Sequence, residues 1–498
     1  MKLKLLFKKI PQAQIKGSKD VSITGLSTNS KLVSPGNLFI ARKGRMHDGG
    51  SYIPEALEAG ACAVLTDLYD PSLKSTIQVI HPSIASIEGT LAAEFYHNPA
   101  EELFLVGITG TNGKTTSSFL IKHLLDQFQG PCGLIGTIEY IVGTSHYNAT
   151  RTTPEVTANH KMLREMRNQG CTSAVMEVTS HALDQGRVDK IDYDVAVFTN
   201  LTQDHLDYHP TMEEYCQAKN LLFKNLGKEA WAVINQDSPW MPKITAGCQA
   251  NILTYGIEQS ADLRATEIRL EKGGTRAKVT YQGKALECFF PLTGRFNVYN
   301  CLAAMGVALA KKVSFETVIE RIKSLPSVRG RLEPVENDLR LKIYVDFAHS
   351  DDALKNVLQT LNEVKTGKII TVFGCGGDRD KTKRSKMGAV CEQHSDLCII
   401  TSDNPRSEDP NAICKEIATG FQLQGYAIEP DRRAAIKKAI LLAQPDDIIL
   451  IAGKGHETYQ IFATKTIEFD DVAIARDICA ELNQNLASGT PFESPFPG

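Results

Sequence analysis

No stretch of this 498-residue chain is apolar over the ~18 residues needed to cross a bilayer, so no membrane span is expected. The N-terminal MKLKLLFKKIPQ has an apolar stretch of three residues, Leu5 to Phe7, where a secretory signal needs ~7–15. Charge of one sign is not in surplus either. Lys and Arg number 55 against 58 Asp and Glu, a net charge of -3. A near-neutral chain lacks the basic field of a nucleic-acid binder, so no nucleic-acid partner is expected. None of the 12 cysteines stands at CxxC spacing, and the nearest pair is Cys391 and Cys398. Free thiols in a reducing compartment follow, and a structural zinc does not. These absences describe a cytoplasmic protein.

The chain has an ordinary globular composition, 42% hydrophobic and 23% charged. One core stops growing at ~250–300 residues, so about two to four domains are expected. Short β-branched runs alternate with amphipathic stretches, the mark of α/β units on largely parallel sheets. Three blocks emerge. Residues 1–102 hold VSITGLS, NLFIARKG and ACAVLTD, with a helical stretch at Ser51–Ala59. Residues 103–328 hold LFLVGIT, SAVMEV, VAVFTNL and WAVIN, and residues 329–498 open on KIYVDFAH. The tail after Asn483, rich in Gly, Pro and Ser, is expected to be disordered.

The sharpest signal is an apolar strand running into Gly110-Thr111-Asn112-Gly113-Lys114-Thr115-Thr116 and then an amphipathic helix. Glycines let backbone N–H groups close on phosphate oxygens, and the helix N-terminus adds partial positive charge. Lys114 would reach the outer phosphates and the Thr115 hydroxyl would ligate Mg²⁺. The strict phosphate-loop pattern asks for glycine at 108, where Ile108 stands. The rest of the loop points to ATP or a similar nucleotide. Two further strands in this block end in Glu177 and in Thr199-Asn200, the latter followed by His205. Ligands gather at strand carboxyl ends, so Glu177 and His205 are placed to hold a metal near the phosphates. Lys219, in an apparent helix, reads by itself as a surface lysine.

In the third block four apolar strands end in Asp346 with His349, in a glycine loop bearing Arg379, in Asp403-Asn404-Pro405-Arg406, and in Gly453 to Glu457. They should converge on one crevice. Two arginines there suit a carboxylate-rich ligand, and Glu457 suits an ammonium. Together they describe a site for a zwitterionic amino acid.

Taken in order, GTNGKTT, MEVTSHAL, FTNLTQDHLDYH, Ala218-Lys219, GRFNVYN and GRLE resemble the Mur ligase family over roughly residues 20 to 482. The resemblance implies an α/β protein of three domains: a UDP-substrate-binding domain, a central P-loop ATPase sheet and a C-terminal Rossmann-like domain. It implies catalytic roles for Lys114, Glu177, His205 and Lys219, the last as a carbamate. Thr115, Glu177, His205 and Lys219 would then hold Mg²⁺. ATP contacts extend to Asn297, Arg331 and His349. The UDP-linked muramoyl dipeptide would be met by Thr28, Ser30, Thr152, Thr153, Thr179, Gln185 and Arg187, with the 45–47 loop nearby. Two segments depart from the family pattern. Thr28-Asn29-Ser30 stands where DSR is usual, and the run from Asp346 to Asp352 where DYAHTPD is usual.

Within the family, Asp403-Asn404-Pro405-Arg406 resembles the recognition sequence of members that add meso-diaminopimelate. Those that add lysine lack this arginine. The resemblance assigns Arg379, Asp403, Asn404, Pro405, Arg406, Gly453 and Glu457 to diaminopimelate. A buried Arg406 guanidinium facing lysine would lose its carboxylate partner, a cost of roughly 3–5 kcal/mol. The implied reaction is ATP-dependent ligation through an acyl-phosphate, by a monomer, with residues 325–331 as a hinge. Ligation of lysine, a folylpolyglutamate synthetase and a nucleotide-dependent switch without ligase activity are the alternatives.

Overall fold

The computed structural model describes residues 1–487, apart from 11, 45–47, 205–207, 272 and 424. The chain forms two compact units. The first comprises Met1–Arg264 and Leu302–Val318, the second Ala265–Cys301 and the residues from Ile319 onward. Residues 325–331, the expected hinge, lie wholly in the second. No described helix is long and apolar enough to cross a membrane.

The first unit carries two sheets. The smaller has the strand order Gln14–Lys16, Ile77–Ile80, Ala63–Thr66, Asn37–Ile40, Gly25–Ser27, parallel except for the first. Its central strands Asn37–Ile40 and Ala63–Thr66 are buried at every position because both faces are covered. Leu38, Leu65 and Val79 pack with Ile87 and Leu91 of the helix Ile84–Phe95, and Phe39 and Val64 pack with Ile53 and Ala56.

The larger sheet runs in parallel through Asn251–Gly256, Trp231–Asn235, Val195–Phe198, Phe104–Thr109, Ser173–Glu177 and Cys132–Ile135. Phe104–Thr109 has Ser173–Glu177 on one side and Val195–Phe198 on the other. The order therefore reverses at the strand that feeds the glycine loop, and such a switch point opens a crevice at the carboxyl ends. Two antiparallel strands, Glu139–Val142 and Ser145–Asn148, finish that side.

In the second unit the strand order is Glu333–Pro334, Lys342–Asp346, Ile448–Ala452, Ile369–Phe373, Leu397–Ile400, Tyr426–Ile428, parallel except for the first. Helices Asp351–Val364 and Thr382–His394 cover one face, Arg432–Leu442 and Asp471–Ala487 the other. This is a doubly wound α/β layer. A ribbon of Gly274–Tyr281 and Lys284–Phe290, which the sequence reading did not single out, is also among this unit's residues but is not part of the doubly wound sheet. The last helix runs to Ala487, past the expected disorder after Asn483, and 488–498 lie outside the described residues.

Candidate active site

The glycine loop closes on the end of the neighbouring strand. Thr111 N donates to Asn200 O (2.9 Å), Asn112 N to Asn200 Oδ1 (2.8 Å), and Thr199 Oγ1 to Asn112 O (2.6 Å). Gly110 has φ +151°, and a Cβ there would lie 1.9 Å from Thr199 Oγ1, so no other residue fits. Gly113, at φ 84°, caps the helix Lys114–Gln129.

Lys114 Nζ rests on the carbonyls of Gly110 and Thr111, each at 2.8 Å. Lys219 Nζ donates to the same Gly110 oxygen at 3.0 Å and lies 4.6 Å from the centre of the Tyr215 ring. Lys219 is 1% exposed, which overturns its reading as a surface lysine. Burial, and then the charge of Lys114, hold its ammonium well below the ordinary lysine range. Both causes act against the ammonium form and toward the neutral amine, the form that reacts with electrophiles.

Glu177 is sealed at 0% exposure and is not the solvated strand-end carboxylate that its position alone suggests. It accepts from Thr115 Oγ1 (3.0 Å), Ser118 Oγ (3.4 Å), Thr137 N (2.9 Å) and Thr137 Oγ1 (2.9 Å). Thr137 was not foreseen, although it lies just past a strand end and Glu177 lies at one. Its hydroxyl meets Thr152 Oγ1 at 3.1 Å. The Glu177 carbonyl accepts from Thr153 Oγ1 (2.8 Å), which meets Thr179 Oγ1 at 3.3 Å. Arg187 donates to Thr153 O and to Gln185 Oε1, and Gln185 donates to Tyr208. Five of the expected dipeptide residues are thereby joined to Glu177 by one network. Thr28 and Ser30 are not, among the described residues; Ser30 donates to Glu55 at 2.6 Å. His205 and the 45–47 loop lie outside the described residues. Among those described, no group of three His, Cys, Asp or Glu side chains gathers to hold a metal.

In the second unit the expected convergence is present. A Cβ on Gly376 would lie 3.0 Å from Arg406 Nη1 and 3.8 Å from Arg379 Cγ, so both arginines border one glycine. Arg379 is exposed. Arg406 is half-buried rather than buried, and donates to Gly377 O at 2.8 Å. Its backbone is left-handed, φ 52°. Asn404 Nδ2 donates to Glu457 Oε2 at 2.8 Å. Gly453, at φ +114°, lets its backbone approach Asp403, whose Oδ2 would lie 2.7 Å from a Cβ. Pro405 is buried in the same turn.

Supports that sequence reasoning missed lie behind. Arg384 donates to both oxygens of Glu408 and to Glu416. Glu408 also accepts from Asp378 N at 2.7 Å, beside Arg379. Arg432 and Asp471, both fully buried, pair at 2.7 Å. Arg432 also donates to Ser402 O and Ala452 O, the carbonyls just before Asp403 and Gly453.

Asn297, Arg331 and His349 are in this unit too. Asn297 donates to Thr293 O, Arg331 lies over the Phe347 ring at 4.7 Å, and His349 is exposed. His456 packs on the same ring at 4.9 Å, and burial followed by Arg331 pushes its pKa down to about 3.

Three family models match in chain order: the Mur ligase family catalytic domain at residues 22–96, the Mur ligase middle domain at 108–308, and the Mur ligase glutamate ligase domain at 330–455. A protein of Chlamydia caviae is 44% identical over 482 residues, 96% of this chain and 99% of its own. The chain belongs to the Mur ligase family. The Chlamydia protein is named UDP-N-acetylmuramoyl-L-alanyl-D-glutamate–2,6-diaminopimelate ligase. A Bacillus licheniformis protein of the same name is 43% identical over 94% of this Mur ligase and 96% of its own length. A solved structure with that name superimposes with a TM-score of 0.69 at 31% identity, covering 97% of this chain and 99% of the other. A folylpolyglutamate synthase of Mycobacterium tuberculosis, complexed with ADP, shares the fold at 18% identity and TM-score 0.61, over 74% of this chain and 92% of its own.

Proposed function

We propose that this Mur ligase adds meso-diaminopimelate to UDP-N-acetylmuramoyl-L-alanyl-D-glutamate, using ATP, in peptidoglycan precursor synthesis. The observation that carries the reading is the pair Arg379 and Arg406 around Gly376, with Asn404 and Glu457 alongside. Two guanidiniums, one carboxylate and one amide match a ligand with paired carboxylates and ammoniums. Residues 1–102, 103–328 and 329–498 are assigned to the UDP-substrate, ATPase and amino-acid domains. The protein is taken as a cytoplasmic monomer.

Residues 110–116 would cradle the ATP phosphates, and Lys114 would leave the carbonyls it rests on to meet them. The Glu177 carboxylate and the Thr115 hydroxyl, 3.0 Å apart, form an all-oxygen donor pair that suits a hard cation. Mg²⁺ bound there would neutralise phosphate charge. His205 and Lys219 would complete the set.

A neutral Lys219 amine can add to carbon dioxide, forming a C–N bond and releasing one proton. The resulting carbamate would be an anion facing Lys114 in place of a second cation. The γ-phosphoryl group would pass to a D-glutamyl carboxylate oxygen as ADP leaves. The ligand's free amine would then attack the carbonyl carbon of that acyl-phosphate, the bond to phosphate would break, and an amide would form as phosphate and a proton depart. Asn297, Arg331 and His349 would contact ATP. Thr28, Ser30, Thr152, Thr153, Thr179, Gln185 and Arg187 would hold the dipeptide nucleotide.

Phosphate release tests the reading. It should require ATP, the UDP-dipeptide and meso-diaminopimelate together, with L-lysine a poor replacement. Equal use of lysine would refute the substrate. Release indifferent to the UDP-dipeptide would refute the ligase.

A further inference from the structure

Lys454 lies between Asn404 and Glu457, two residues assigned to diaminopimelate. It is 0% exposed. Its Nζ donates to Asn404 Oδ1 at 3.2 Å and to Glu457 Oε2 at 3.0 Å. Asn404 Oδ1 accepts a second bond, from Ile461 N at 3.0 Å. An amide oxygen holding two donors fixes which way the amide faces. The Asn404 NH₂ group is therefore turned to Glu457 Oε2, where it donates at 2.8 Å.

Two donors thus occupy one oxygen of Glu457, whose side chain keeps 20% exposure. Among the described residues no hydrogen bond engages its other oxygen. A ligand ammonium arriving there meets a carboxylate whose charge a buried ammonium already balances. Its attraction is weakened, while Arg406, which gives one nitrogen to the carbonyls of Gly377 and Asn404, and the exposed Arg379 keep further N–H donors for the ligand's carboxylates.

We infer that Lys454 is a specificity-determining positioning residue: it orients Asn404, leaves one Glu457 oxygen to the ligand ammonium, and shifts selection onto the arginines. This rests on the diaminopimelate reading. Lysine, which has the ammonium groups but lacks the far carboxylate, is disfavoured because the ammonium contact alone is too weak.

Steady-state kinetics of Lys454→Met and Lys454→Gln, with ATP, the UDP-dipeptide and either meso-diaminopimelate or L-lysine, test this. In Lys454→Met Asn404 and Glu457 lose the donor that orients them, so the KM for diaminopimelate should rise about tenfold, the size of one misplaced hydrogen bond, despite the stronger Glu457 field. The KM for ATP should hold. The preference for diaminopimelate over lysine should shrink, because no neighbouring ammonium then balances Glu457 and the ammonium contact, which lysine also makes, counts for more. Lys454→Gln keeps a donor without the charge and should fall between; it also carries the test if the Met variant does not fold. Uniform loss with all substrates, at an unchanged preference, would show a merely structural lysine and overturn the inference. If the unmutated protein does not use diaminopimelate, the functional reading fails first and this inference falls with it.

Discussion

Glu177 and Lys219 in the first unit are sealed from solvent, whereas Arg379 in the second is exposed and Arg406 half-buried. In the first the groups proposed to react are themselves interior, and backbone carbonyls and threonine hydroxyls hold them. In the second the buried ions stand one layer back: Arg384 on Glu408, Arg432 on Asp471, Lys454 on Glu457. Phosphoryl transfer is served by fixed dipoles in a dry setting. Choosing a zwitterion from water requires guanidiniums that remain accessible, so their orientation must come from what lies beneath.

Four changes would break or sharpen that contrast. Asp471→Ala strands the Arg432 charge in the interior, so unfolding free energy in a denaturant titration should drop by about 3–5 kcal/mol. Adding Arg432→Leu should recover most of it. A negligible loss from the single change would mean that the second unit does not depend on interior ions. Next, Lys219→Ala should lower kcat by about 10²–10³-fold, as when a group stabilising transition-state charge is lost. A short carboxylic acid in the assay should return part of the rate. Wild-type turnover would reject a reactive role for this buried amine. Third, Arg406→Ala should raise the KM for diaminopimelate about ten- to a hundredfold while the KM for ATP stays put. Parallel changes in both would erase the division of labour.

The smallest effect concerns acid. The Arg384 guanidinium, then the Asp378 amide, lower the Glu408 carboxyl from 4.5 to about 2. A carboxyl lowered by folding stabilises fully above its unfolded value and loses that contribution as the folded value is approached. Glu408→Gln should therefore flatten the fall of stability between pH 4.5 and about 2. An unchanged acid limb would show that the pair contributes nothing.

The strand tips were legible because abrupt apolar runs deliver glycines and charges at their ends, as at Gly110, Glu177 and Gly453. The α/β class followed from the same runs. Lys219 was not legible from its own helix, where Glu213, Glu214 and Lys224 suggest a solvated face. The Tyr215 ring and the Gly110 carbonyl reveal its surroundings. Arg384 hid in the same way within Lys381-Thr382-Lys383-Arg384-Ser385-Lys386, a basic run that reads as surface although one member is 1% exposed. The ribbon at 274–290 alternates as strands do, but its outward Arg276, Lys278 and Glu287 dilute the apolar signal. Thr137 could have been found by extending the strand-end rule to one more strand.

The backbone of Arg406 has a consequence for anyone hardening this protein. A left-handed conformation disfavours any side chain by about 1–2 kcal/mol, and glycine is exempt. Arg406→Gly would relax the turn while deleting the guanidinium. A library sorted for heat resistance alone would drift toward glycine there, trading discernment for durability.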